Sequence, residues 1–401
     1  MSRYLSANSY GSGSRQGDRN RSRSPGDDRF RTRPPTSSRR EETRRSVRSN
    51  MLPQVRVLDQ SGDDPFDTPP FAAESPTFRF AVFVMHFAIS LLESDSGRAA
   101  LYETAHTIWD NWGRARRTLI FRQDVNRDRG VLDRAVDRFL ENIRADPPNI
   151  LVSSRLQGEG LAQRQEWSEF REQFEVKWGT IFRLNKRIID DAIAAADAHD
   201  KTEFRRFLFL MGMSTAHELV HAFVGVLTGD TTTLTPPPAD FPRPGDRSST
   251  TPGESGRFFE GALTGFLVEA YQLNHGLGDR QAGELLCQAR SSAGNVYYIL
   301  NESWMLDRLY LDFRRDSFPA PLSSWQSIRV RRTDQPMQMV RRPPRGEDFG
   351  HRVVTSWIQW VNSLPTVTVD AEQLSDIMHM VTEPRNIRPL PSDSGARRAR
   401  A

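Results

Sequence analysis

The stretch Glu203–Leu227 constrains this chain more than any other part of it. Leu208, Phe209, Met211, Leu219, Val220, Phe223, Val224 and Leu227 spread apolar side chains over most of a helical surface, so the helix belongs inside a core. Asp200 and Glu203 have the spacing of a capping box at its start, and Gly229 stands where a C′ glycine would end it. Within this helix lies His217-Glu218-Leu219-Val220-His221, an H-E-x-x-H motif. Residues four apart share a helix face, so His217 and His221 present two imidazoles to one ion, with Glu218 offset around the helix. Buried polar groups need partners. Neutral nitrogen ligands, an open coordination position and a nearby carboxylate are what zinc hydrolysis requires, with Glu218 as general base.

A third ligand has to come from another element. Downstream, a helix is expected from near Glu254 to about Leu273, containing Glu254-Ser255-Gly256-Arg257-Phe258-Phe259-Glu260. Glu254 has a sufficient structural role as an anion near the helix N-terminus. Glu260 sits mid-helix among Phe258, Phe259, Leu263, Phe266 and Leu267, where a carboxylate is either at a site or paired. The two acids are six apart and face different directions, so one helix would rarely offer both to one metal.

H-E-x-x-H followed by E-S-G-x-x-x-E resembles the gluzincin zinc metallopeptidases, the thermolysin-like group, over about residues 200–273. The resemblance implies a Zn2+ ion held by His217, His221 and Glu260, with Glu218 as catalytic base and a peptide or protein as substrate. It implies a zincin-like fold, in which a small sheet packs on the H-E-x-x-H helix and an edge strand holds extended peptide. Two departures are visible. The gap from His221 to Glu260 is wider than in thermolysin, and Thr264 occupies the place of the family's second acid, which supports a ligand histidine.

Composition bounds the rest. A chain of 401 residues, 37% hydrophobic with 8 Trp, has the material for a core and for one large or two smaller domains. Residues 1–50 carry 13 Arg against 5 acidic residues, whereas the remainder is mildly acidic, so the body does not read as a nucleic-acid surface. The single cysteine, Cys287, excludes an internal disulfide and a Cys-rich zinc site. Polar residues follow Met1 where a signal peptide would be apolar, and the most apolar run, Phe78–Leu92, is shorter than a bilayer requires. An intracellular protein with no membrane span is therefore expected.

Residues 1–75 read as a disordered Arg/Ser-rich tail, 76–385 as an α+β, helix-rich zincin-like domain, and 386–401 as a basic disordered tail. Helices are expected at Phe78–Leu92, at Ser96 or Gly97 to Trp109, and at Val131–Ile143, Ile188–Ala195, Gln281–Ala293, Phe349–Ser363 and Ala371–Val381. Gln163–Phe174 is a polar helix or an excursion. Strands are expected at Arg117–Arg122, Asn149–Leu156, Gly179–Leu184 and Asn295–Leu300. Residues 230–253 read as a Thr/Pro-rich loop between the two expected metal-bearing helices, which either borders or covers the site or is a plain insertion. Met305–Phe313 is a mixed apolar run and Leu322–Arg345 an Arg- and Pro-rich loop. Tyr271, His275, Tyr298 and His351 are candidates for stabilising the oxyanion. Two other readings remain open: a zincin-like metal-binding protein without activity, and a non-metal scaffold whose basic tails bind RNA.

Overall fold

The computed structural model describes residues 52–61, 67–111, 130–164, 176–228, 235–236, 238–241, 253–273, 279–289, 296–313, 318–331, 334–337, 361 and 363–369, all within the compact unit Asn50–Ala401. In chain order the elements are β1 (Leu52–Val55), β2 (Val57–Gln60), α1 (Pro76–Glu93), α2 (Asp95–Asn111), α3 (Gly130–Ala145), β3 (Ile150–Ser153), β4 (Gly160–Arg164), a short α4 (Val176–Gly179), β5 (Thr180–Asn185), α5 (Lys186–Asp197), α6 (Lys201–Thr228), α7 (Ser255–Thr264), β6 (Phe266–Gln272), β7 (Glu284–Ala289), β8 (Val296–Ile299), α8 (Glu302–Leu309), β9 (Ser327–Arg329), β10 (Gln335–Pro336) and β11 (Val367–Val369). The architecture is mixed α/β, consistent with the expected α+β class but not with the expected zincin fold.

The fold is arranged around α6, the 28-residue helix that carries the motif. Its start is set by Asp200, whose Oδ1 accepts from the Glu203 amide at 3.1 Å. Glu203 also accepts from the Ala282 amide through its Oε1. Phe207, Leu208, Phe209, Met211, Leu219, Val220 and Phe223 are fully buried, as an apolar surface on most sides requires. Helix α1 packs along α6, and the two approach closely at Gly212. A Cβ there would lie 2.4 Å from the Phe87 ring, so only a glycine lets these axes come so near. Helix α1 begins with Ser75 Oγ accepting from the Phe78 amide at 3.2 Å and Pro76 in its first turn. Both α1 and α6 are long and apolar enough to cross a membrane by composition, and 78% of each apolar window is buried within the protein.

Two sheets flank the helices. One has the order β2-β3-β5-β4; β2, β3 and β5 run parallel, and β4 is antiparallel at the edge. Strand β4 lies against α6, with Gly160 facing Ser214 and Glu218. The other sheet, β10-β6-β7-β8-β9, is antiparallel throughout. Strands β1 and β11 form a separate antiparallel pair.

Several expectations are corrected. Strands β1 and β2 fall inside 1–75, the stretch expected to be tail; Leu52, Val55, Val57 and Leu58 are completely buried, so the folded unit begins well before residue 76. The helix expected from Glu254 to Leu273 stops at Thr264, because Gly265 takes the left-handed conformation at φ 82°, and the chain continues as β6. The segment Gln281–Ala293, expected to be helical, contains strand β7, paired with β6 in register Val268↔Cys287. The mixed run Met305–Phe313 overlaps α8, whose cap Asn301 accepts from the Trp304 amide at 2.9 Å. The loop Leu322–Arg345 contains β9 and β10. The strand at Arg117–Arg122, the helix at Ala371–Val381, most of the helix at Phe349–Ser363, residues 1–51 and 386–401, and most of the 230–253 loop lie outside the described residues.

Candidate metal centre

The site is built where α6 meets α7. One turn of α6 brings His217 and His221 side by side, their ring centroids 5.1 Å apart. One ligand atom each from His217, Glu218 and His221 fits within 4.8 Å of the others. Helix α7 approaches through Gly256, whose Cβ, if present, would lie 2.3 Å from His217 Cδ2.

The two acids of α7 divide the ring nitrogens between them. Glu260 Oε1 lies 2.6 Å from His217 Nδ1. Glu254, the N-cap of α7, accepts from the Arg257 amide through Oε2 at 2.7 Å. The same Oε2 is 3.2 Å from His217 Nε2, while Oε1 contacts His221 Nε2. Ser255 Oγ stands 3.1 Å from His221 Nδ1. Both Nδ1 atoms therefore have a partner behind them, and both Nε2 atoms turn to one carboxylate. A partner on Nδ1 fixes which tautomer presents Nε2 as a ligand.

The electrostatics follow from that packing. Burial alone would lower the His217 pKa, but Glu254 and then Glu260 outweigh it and hold the pKa well above that of an ordinary imidazole. Burial would raise Glu254, but contact with His217 and His221 keeps its carboxyl far below the usual carboxylate range. Two imidazoles with one carboxylate are a donor set of the kind that zinc takes.

Glu218 turns the other way around α6. Its Oε2 accepts from the backbone amide of Ala162 in β4 at 2.7 Å. The base candidate is thus suspended between the paired histidines and the edge strand.

Of the residues singled out in the sequence, His217, His221, Glu218 and Glu260 all come together. Glu260, expected as the third ligand, meets His217 Nδ1, whereas Glu254 meets Nε2 of both histidines. Sequence reasoning passes over Glu254 because its capping role suffices to explain it; it performs that role with one oxygen and faces the histidines with both. Ser255 and Ala162 carry no signal, the latter because its backbone is what acts. Thr264 ties the end of α7 to β6, donating to Glu260 O at 2.8 Å and accepting from the Phe266 amide at 3.1 Å. Tyr271 is engaged in the five-stranded sheet, its hydroxyl 3.0 Å from Glu269 and 3.3 Å from the Tyr297 hydroxyl. Tyr298 lies half-buried in β8, and His275 and His351 fall outside the described residues. Compared with known proteins, the chain matches no protein-family model, no curated protein and no solved structure.

Proposed function

We propose that this protein is a zinc-dependent hydrolase of peptide bonds in which His217, His221 and Glu254 hold the ion. The observation that carries the reading is the division of ring nitrogens, with Nδ1 of each histidine backed by Glu260 or Ser255 and Nε2 of each directed to Glu254. In this reading Glu260 moves from ligand to orienting partner, the place the gluzincin resemblance gave to an acid at position 264. Zinc, when bound, supplies Lewis-acid activation of a water and of the scissile carbonyl. Glu218 takes the proton of that water on its carboxylate and returns it to the leaving amine. The backbone edge of β4, beside Glu218, aligns an extended peptide.

The test is metal analysis joined to turnover. Purified protein should carry one zinc per chain and cleave members of a peptide library, and Glu218→Gln should keep the zinc and lose the cleavage. Absence of stoichiometric zinc sinks the proposal, and so does full activity in Glu218→Gln. A second reading, a zinc-holding protein without turnover, draws on the bond that ties Glu218 to Ala162. Retained zinc with no cleavage across the library selects it.

A further inference from the structure

We propose that the Ala162 amide is a latch on the base, and that only a substrate whose backbone pairs with β4 releases it; this rests on the hydrolase reading above. Ala162 is opposite Phe182 in the β4–β5 ladder, yet its N–H points out of the sheet, to Glu218 Oε2 at 2.7 Å. Among the described residues β4 is the open edge of its sheet, and its residues are half-buried rather than covered. Alternation along an antiparallel ladder puts the N–H and C=O of Gly160 on that same edge. An extended chain docking there needs the Ala162 N–H for one of its own carbonyls. One N–H serves one strong acceptor, so Glu218 has to leave as the peptide arrives, and the carboxylate set loose is the one that takes the water's proton. The unlocking group is the substrate's main chain. An extended polypeptide therefore frees the base, and a small amide that reaches the histidines without covering β4 leaves it tied.

The latch is tested first without metal or turnover. In full-length, metal-free protein labelled with 15N at alanine, the Ala162 amide is assigned by its loss in Ala162→Gly. Its hydrogen exchange should be slow in the wild type and about 10- to 100-fold faster in Glu218→Ala, the range a charge-assisted bond implies. A random-sequence dodecapeptide pool should restore protection in Glu218→Ala. Exchange that is unaffected by Glu218→Ala, or by the peptide pool in that variant, overturns the latch whatever becomes of the hydrolase reading. The second test uses Ala162→Pro, which removes the N–H without removing a ladder bond. The ratio of kcat/KM for a long peptide to that for a blocked single-residue amide should fall about 10- to 100-fold, with cleavage of the small amide kept or increased. Equal loss on both substrates would mean that Ala162 only positions Glu218, and the latch would be wrong. A wild type that cleaves neither substrate defeats the hydrolase reading, and the exchange measurement then decides the latch by itself.

Discussion

Glu260 Oε1 lies 2.6 Å from His217 Nδ1, on the ring nitrogen that Glu254 leaves to it. The two acids of α7 should therefore differ sharply when removed. Glu260→Gln keeps an oxygen near Nδ1 and should weaken zinc binding by about 10- to 100-fold, the usual effect of losing a group that orients a ligand. Glu254→Gln removes a ligand and should exceed that range. Competition with a chelator measures both, and the reverse order would return Glu260 to the ion. In Glu254→Gln the new side-chain amide oxygen can still cap the Arg257 N–H, so α7 should keep its start, and the stability lost in metal-free protein should come from the broken contacts to His217 and His221.

Gly256→Ala should damage the site while sparing the fold. The new Cβ would fall within 2.5 Å of three atoms of the His217 ring. Alanine is the better helix former, so the helical circular dichroism should hold while zinc affinity drops. Unchanged affinity would mean that α7 can withdraw from His217 without consequence.

Thr264 stands where the expected resemblance would put an acid, and its bonds are those of a helix terminus. Its hydroxyl serves Glu260 O, Phe266 O and the Phe266 amide, and the residue is buried. Thr264→Val should cost about 1–3 kcal/mol in denaturant unfolding by orphaning those groups. Thr264→Asp should lower stability rather than tighten zinc, because the His217 nitrogen it would support already has Glu260.

Acid should weaken the fold through His86. This histidine is buried in α1 and accepts at Nδ1 from Arg144 Nη1 at 3.0 Å; the same guanidinium pairs with Glu93 at 2.6 Å. Burial first, and the Arg144 charge second, lower its pKa from 6.5 to about 3. Between those values the unfolded chain binds a proton that the native protein refuses. Stability is therefore whole above pH 6.5 and falls by up to about 1.4 kcal/mol per unit as the pH drops toward 3. His86→Gln should flatten that slope by about one proton, read from denaturant midpoints at pH 7 and pH 4. A parallel pair of pH profiles would contradict this account.

The parts of the molecule legible in the sequence are those where one pattern has one meaning. An apolar helix carrying two histidines four apart has to be buried and has to pair them, and α6 does both. Strands β3 and β5 and helices α1, α2, α3 and α5 follow from period and punctuation. Strands β6 and β7 pass for helices because short apolar runs satisfy either period, although Gly265 carries the stop signal. Strands β1 and β2 are hidden by their brevity beside an Arg-rich stretch. Within the site, two carboxylates six residues apart cannot be ranked by spacing. Their roles depend on which edge of an imidazole each one meets, and that is a property of how two helices pack.

Glu254 holds the first turn of α7 with the same side chain that faces both imidazoles. The start of that helix and the position of the acid are consequently one setting. Sliding the chain by a single residue along α7 would move the carboxylate off the histidines and uncap the helix together. The Gly253 amide, donating to Thr235 O at 2.8 Å, fixes the chain just ahead of that setting.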